Sequence, residues 1–264
     1  MLLSIPFPGL DPVALQIGPI AIRWYALAYM AGLLIGWRYM RAVASWPPRV
    51  LTAKAVDDFL LWATFAIILG GRLGYVLFYQ PLHFFQNPAD IVAVWKGGMS
   101  FHGGLLGMVL AIVLYARRQH VPVLALADRV ACVVPIGLFF GRLANFINGE
   151  LFGRPADLPW AMVFPGGGPA ARHPSQLYEA ALEGLVLFLI LWLASRSERA
   201  RVRYGLLTGL FLCGYAIFRS TGELFREPDA HIGFLAGGVT MGQILSLPLL
   251  LAGLFLIARA CRRP

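Results

Sequence analysis

Apolar runs of 18 residues or more recur along this sequence, and each could cross the roughly 30 Å hydrocarbon core of a bilayer as a helix. The polar surface that would dissolve such a chain as a soluble bundle is missing. Of its 264 residues 59% are hydrophobic and 13% are charged, about half the charged share of a soluble domain. The expected fold is therefore all-α: a polytopic membrane protein with one transmembrane domain over residues 1–264. The first residues, MLLSIPFP, lack a basic n-region, so no cleavable secretion signal is expected. Cys132, Cys213 and Cys261 stand singly in apolar segments, without disulfide or metal spacing, and read as small core hydrophobes. No metal or other cofactor and no nucleic-acid partner is expected.

About seven spans are expected, near residues 19–41, 56–79, 99–117, 123–147, 175–194, 205–222 and 239–258. The Gly/Pro-rich stretch 154–174 is read as an extracytoplasmic (periplasmic) loop of ordered or short elements between spans four and five. Net charge is +9. Many basic residues, among them Arg38, Arg41, Arg117, Arg118, Arg196, Arg203 and Arg259, fall on one set of loops and helix ends. The positive-inside rule makes that side cytoplasmic. The N-terminus is then outside and the C-terminus cytoplasmic. Small-residue pairs such as Gly32/Gly36, Gly103/Gly107 and Gly137/Gly141 permit close helix packing.

The remaining charges break that rule and fall within spans or toward the outer side. Ionisable groups at membrane depth are expensive and usually face a bundle interior or a wet cavity. Arg142, Asn145 and Gly149 are spaced i, i+3, i+7 on one helical face, with Asn148 and Glu150 close by. Tyr215, Arg219, Glu223 and Arg226 form a second face. His102 sits among glycines in "GGMSFHGG". His173 and Glu179 open the fifth span in "RHPSQLYE". Arg72 and Tyr25 add one polar group each. Arginine forks match phosphate oxygens, so arginines gathered at one depth suggest an anionic phospholipid headgroup. Individually, Arg219–Glu223 reads equally as a structural ion pair, and Asn145 and Asn148 as helix-bridging amides.

"GRLANFINGELFG", 141–153, resembles the signature of the prolipoprotein diacylglyceryl transferases. "GGRLGYVLFY", "GGMSFHGG", "RHPSQLYEA" and the run ending "FREPD" are similar to that family in the same order, over essentially the whole chain. Ala144 and Ala26 stand where that family often has Gly, a change to packing rather than chemistry.

The resemblance implies transfer of diacylglycerol from phosphatidylglycerol to the lipobox cysteine thiol of a prolipoprotein signal peptide, forming a thioether and releasing glycerol phosphate. This is the first step of bacterial lipoprotein maturation. Arg142 and Arg219 would stabilise the leaving phosphate, as preorganised charges do in a dry site. Asn145, Tyr25, Gly153, Tyr215 and Arg72 would complete the phospholipid site. The thiol needs a base, for which His102 is the first choice and Glu150 the second. Glu223 and Arg226 would hold Arg219, with Glu179, His173 and Asn148 in support. A phospholipid flippase is the alternative reading, although no internal repeat of the transporter kind is seen. An intramembrane protease would need a Ser–His or paired-Asp arrangement, and none stands out.

Overall fold

The computed structural model describes residues 5–9, 11–228, 233, 235 and 238–262. Asp229, which closes the "FREPD" run, and Arg263 lie outside the described residues. The chain divides into two units, one of residues 1–40 and 128–264 and one of residues 41–127.

In the first unit, strand β1 (Ile5–Pro6) precedes an antiparallel hairpin of β2 (Val13–Ile17) and β3 (Ile20–Arg23). Helix α1 (Trp24–Ala44) follows directly and runs into the second unit. The first predicted span, 19–41, thus starts with a strand. Ile20 and Ile22 are as apolar as a span requires, but β-branched residues also suit a pleated pairing, and hydropathy does not separate the two.

The second unit holds α2 (Ala53–Phe78), the short α3 (Pro81–Gln86), two 3₁₀ turns at Pro88–Val92 and Val94–Lys96, and α4 (Phe101–Arg118). Polar side chains start both long helices. Thr52 Oγ1 accepts the Ala55 N–H at 3.1 Å, and Ser100 Oγ accepts that of Gly103 at 3.2 Å. Helices α2 and α4 pack backbone to backbone. A Cβ at Gly103 would strike the Gly70 carbonyl, and one at Gly107 the Ala66 carbonyl. Without lipid-excluding hydrophobicity to drive association, such close approach supplies the van der Waals contact that joins helices in a membrane.

The chain re-enters the first unit along α5 (Val123–Ala131) and continues through α6 (Val134–Ile147) and β4 (Met162–Val163), which pairs in parallel with β1. Helix α7 (Ser175–Glu179) passes through a π-helical stretch, Ala180–Val186, into α8 (Leu187–Arg196). Then come α9 (Glu198–Val202), α10 (Leu206–Gly222) and α11 (Met241–Cys261), the last opened by a capping box between Thr240 and Gln243. Leu187, Leu191, Leu207 and Cys132 form a fully buried apolar cluster between these helices.

Among the described residues, five helical stretches are long and apolar enough to cross a membrane: Ala53–Phe78, Phe101–Arg118, Val123–Ile147, Ser175–Arg196 and Met241–Cys261. Leu206–Gly222 is shorter but apolar. The chain is a mostly helical, polytopic membrane protein with a few short strands.

Buried Asp128 holds the start of α10. Its carboxylate accepts the Gly205 N–H at 2.8 Å, and the Thr208 N–H and hydroxyl at 2.8 and 2.6 Å. The two N–H groups are orphan donors of a helix N-terminus. Asp128→Ala should cost about 1–2 kcal/mol, the range of a lost cap, seen as a lower unfolding midpoint in detergent.

Candidate active site

Helix α6 (Val134–Ile147) is followed, just past its cap Asn148, by Gly149, whose φ of +65° reverses the chain. The reversal brings Glu150 back over the helix it has just left. Asn145 Nδ2 donates to Glu150 Oε1 at 2.9 Å, and Asn148 Nδ2 donates to the same oxygen at 3.3 Å. Gln176 Nε2 donates to the Glu150 carbonyl at 2.6 Å, tying this corner to α7. The two asparagines therefore hold a carboxylate rather than bridge helices. Glu150 itself is exposed.

One turn earlier on α6, Arg142 points at two carboxylates. Its Nη1 is 3.2 Å from Glu179 Oε2, and its Nη2 donates to Glu183 Oε2 at 3.2 Å. From α10, Arg219 Nη1 donates to the other Glu179 oxygen at 2.5 Å and lies 3.9 Å from Glu183. Its Nη2 pairs with Glu223, one turn on. Arg226 Nη1 is 3.7 Å from Glu179. Arg142, Arg219 and Arg226 thus face Glu179, Glu183 and Glu223, with formal charges that cancel. Unpaired ions at this depth would cost several kcal/mol each, so the balance is what allows the group to exist.

The two signs are not equally accessible. The Glu179 and Glu183 side chains have 0% exposure, while Arg142 and Arg219 keep 15% and 14%. The carboxylates form a buried floor, and the arginine side chains are the part of the cluster that keeps some exposure. Held from behind by carboxylates, the forks are fixed in place before any ligand arrives.

Glycines make the floor possible. A Cβ at Gly184 would lie 2.7 Å from the Phe139 Cβ of α6, and one at Gly242 would lie 2.6 Å from Glu223 Oε1. The π-helical stretch carries Glu183, and such insertions often mark functional positions in helices.

Arg226 reaches the cluster by a route that its i+11 spacing does not describe. Helix α10 ends at Gly222, and Arg226 bridges Gly153 in extended pairing. A Cβ at Gly153 would lie 2.5 Å from the Phe225 carbonyl oxygen and 2.6 Å from the His173 Cβ. Arg154 donates to the Arg226 and Glu223 carbonyls at 3.0 and 2.9 Å. Arg172 donates to the Gly153 carbonyl at 3.2 Å and pairs with Glu227 at 2.9 Å. These two arginines stitch residues 153–173 to residues 223–227.

Tyr25 opens α1, its hydroxyl 3.5 Å from that of Tyr29, and it lies within electrostatic reach of Glu150 and Arg142. Tyr215 feels Glu183, Arg219, Arg142 and Glu179 in the same way. The first unit accordingly gathers Tyr25, Arg142, Asn145, Glu150, Tyr215 and Arg219. Sequence reading ranked Glu179 as support and missed Glu183. The available signal was a lone carboxylate in "AALEGLV", one turn from Glu179.

Arg72 and His102 belong to the second unit. Arg72 is buried, and its Nε, Nη1 and Nη2 donate to the carbonyls of Asp90, Ile91, Ala93, Gly97 and Gly98 at 2.5–3.3 Å. It organises the 90–98 segment. His102 is exposed in the first turn of α4, its ring edge-on to Phe101 with centroids 5.7 Å apart.

The prolipoprotein diacylglyceryl transferase family model matches residues 12–259. The chain belongs to the prolipoprotein diacylglyceryl transferase family. It is 59% identical over 264 residues to the phosphatidylglycerol–prolipoprotein diacylglyceryl transferase of Paramagnetospirillum magneticum, covering 100% of this chain and 98% of that one. Identity to the enzyme of the same name from Rhodospirillum rubrum is 61% over 267 residues, covering 99% and 97%. For that of Rhizobium meliloti it is 57% over 264 residues, covering 97% and 94%. The arginine–glutamate cluster therefore lies within the span that this family shares.

Among the loop residues, His173 carries a pH dependence. Its Nδ1 is 3.2 Å from the Tyr178 hydroxyl. Burial, and then the Arg154 charge, hold its imidazole below the ordinary histidine range. A depressed pKa favours the neutral ring. Its contribution to stability is full above about pH 6.5, the unfolded value, and is lost as pH falls through the lowered folded value. His173→Gln should flatten the loss of stability below pH 6.5, measured as unfolding midpoint against pH.

Proposed function

We propose that this protein transfers the diacylglyceryl group of phosphatidylglycerol to the lipobox cysteine of a prolipoprotein. The sulfur forms a bond to the glycerol carbon, the carbon–oxygen bond to phosphate breaks, and glycerol phosphate leaves with the electron pair. The observation that carries this reading is the meeting of Arg142 and Arg219, from separate helices, on one buried carboxylate. Charge grows on the departing phosphate in the transition state, and fixed guanidinium forks offset it there without reorganising. Asn145, Tyr25, Tyr215 and the Gly153 backbone orient the headgroup. Glu223 and Arg226 balance the cluster.

The same reading takes the chain through an inner membrane in seven passes, with the N-terminus periplasmic, the C-terminus cytoplasmic and the cluster toward the periplasmic side. The matching family, the basic loops and the five long apolar helices support it. The test is incubation of the purified protein with phosphatidylglycerol and a lipobox peptide. A diacylglyceryl mass gain on cysteine that needs both substrates is expected. Lipid translocation without peptide modification would favour the flippase reading instead.

His102 is the proposed base, because an imidazole is the side chain best suited to take a proton near neutral pH. His102→Asn should suppress the rate most at low pH, where thiolate formed without help is scarce. An unchanged pH–rate profile would transfer the role to Glu150.

A further inference from the structure

The second unit carries a groove that none of the proposed transfer residues lines. It runs between α2 and α4, where the helices touch at Gly70 and Gly107. Its volume is about 760 Å³. Leu61, Phe65, Leu69, Leu110 and Leu114 form its walls, and Leu61, Phe65 and Leu69 are each 59–62% exposed. From Asp58 to Leu73 the α2 wall rises about 22 Å at 1.5 Å per residue. That is longer than one leaflet's share, about 15 Å, of the hydrocarbon core. An acyl chain fits along it.

Asp58 and Arg118 line the same groove, with Trp62 beside them. The ends of α2 and α4 that carry them are held together by the Tyr115 hydroxyl, which donates to the Ala55 carbonyl at 2.7 Å. The Arg118 guanidinium lies over the Trp62 ring, 5.8 Å from its centroid, which keeps the cation at the groove wall. Both charged residues are exposed, and among the described residues no ion pair joins either to another side chain. One cation and one anion at the mouth of an acyl-length groove call for a headgroup with the opposite pair. Phosphate meets Arg118, and a primary ammonium meets Asp58.

We infer that this groove binds phosphatidylethanolamine, one acyl chain along α2 and α4 and the headgroup between Asp58 and Arg118. The inference stands apart from the proposed transfer chemistry, whose lipid is phosphatidylglycerol.

The experiment is native mass spectrometry of the full chain, released from bilayer nanodiscs holding equal amounts of phosphatidylethanolamine and phosphatidylglycerol. Peptide modification is assayed in parallel. The parent protein should retain phosphatidylethanolamine in roughly two- to fivefold preference, the yield of one exposed ion pair. Asp58→Asn should abolish the preference while total lipid retained stays near the parent's. Arg118→Gln should lower retention of both lipids. Leu69→Trp, which fills the groove without touching the charges, should lower both as well. Modification activity should persist in all three variants. Equal retention of the two lipids by the parent protein overturns the inference, as does a preference that survives Asp58→Asn. Loss of modification with an intact lipid preference would count against the transfer reading alone.

Discussion

Arg142→Lys is expected to lower kcat/KM for diacylglyceryl transfer by about 10²–10³ while leaving the fold intact, the loss seen when one preorganised donor to a developing anion is removed. The wild-type guanidinium spans Glu179 and Glu183 with its two terminal nitrogens, each at 3.2 Å. The Arg142 side chain as a whole keeps 15% exposure. An ammonium keeps the charge, so the cluster stays neutral and the helices should still assemble. It is a point donor on a flexible stem, however, and cannot brace against two carboxylates and grip a phosphate oxygen together. Turnover per folded molecule is the measurement, with thermal unfolding in detergent as the control. Near-normal turnover with an unchanged unfolding midpoint would remove Arg142 from the leaving-group role.

What could be read in advance was decided by which physics was local. Long apolar runs announce membrane helices because backbone satisfaction in hydrocarbon leaves little choice. Stretches such as 56–79 and 239–258 fall within two residues or three of Ala53–Phe78 and Met241–Cys261. The entry into α1 was not legible. Ile20–Arg23 is apolar at its start, and its pairing with Val13–Ile17 depends on a turn that hydropathy does not report.

The site divides in the same way. Arg142 and Arg219 stood out because a cation in a span is costly wherever it occurs. That they share one carboxylate depends on the packing of α6, α10 and the π-helical stretch, which no spacing along one helix encodes. Glu183 was passed over for that reason. Its partner lies 41 residues away in sequence. Helical periodicity also carried Arg226 too far, since α10 stops at Gly222 and the bridge to Gly153 delivers the side chain. Arg72 shows the converse. Its position in a span does not tell that its donors meet the carbonyls of Asp90 and Ile91.

Glu179→Ala should be the most damaging single change to the fold. The carboxylate has 0% exposure and faces Arg142, Arg219 and Arg226 at once, so its removal leaves three guanidinium groups against Glu183 and Glu223. Breaking a buried pair by deleting one partner typically costs about 3–5 kcal/mol, because the survivor keeps its desolvation penalty without its counter-charge. A strongly lowered unfolding midpoint and near-complete loss of transfer are expected. Charge can be separated from packing with a second substitution. Arg226→Met in the Glu179→Ala background removes one of the stranded cations, 3.7 Å from the lost carboxylate in the parent. If neutrality is what the cluster needs, the double variant should regain part of the stability, with the coupling read from a double-mutant cycle. Additive losses in that cycle would mean that Glu179 acts through packing alone, and the buried floor under the arginines would lose its electrostatic role.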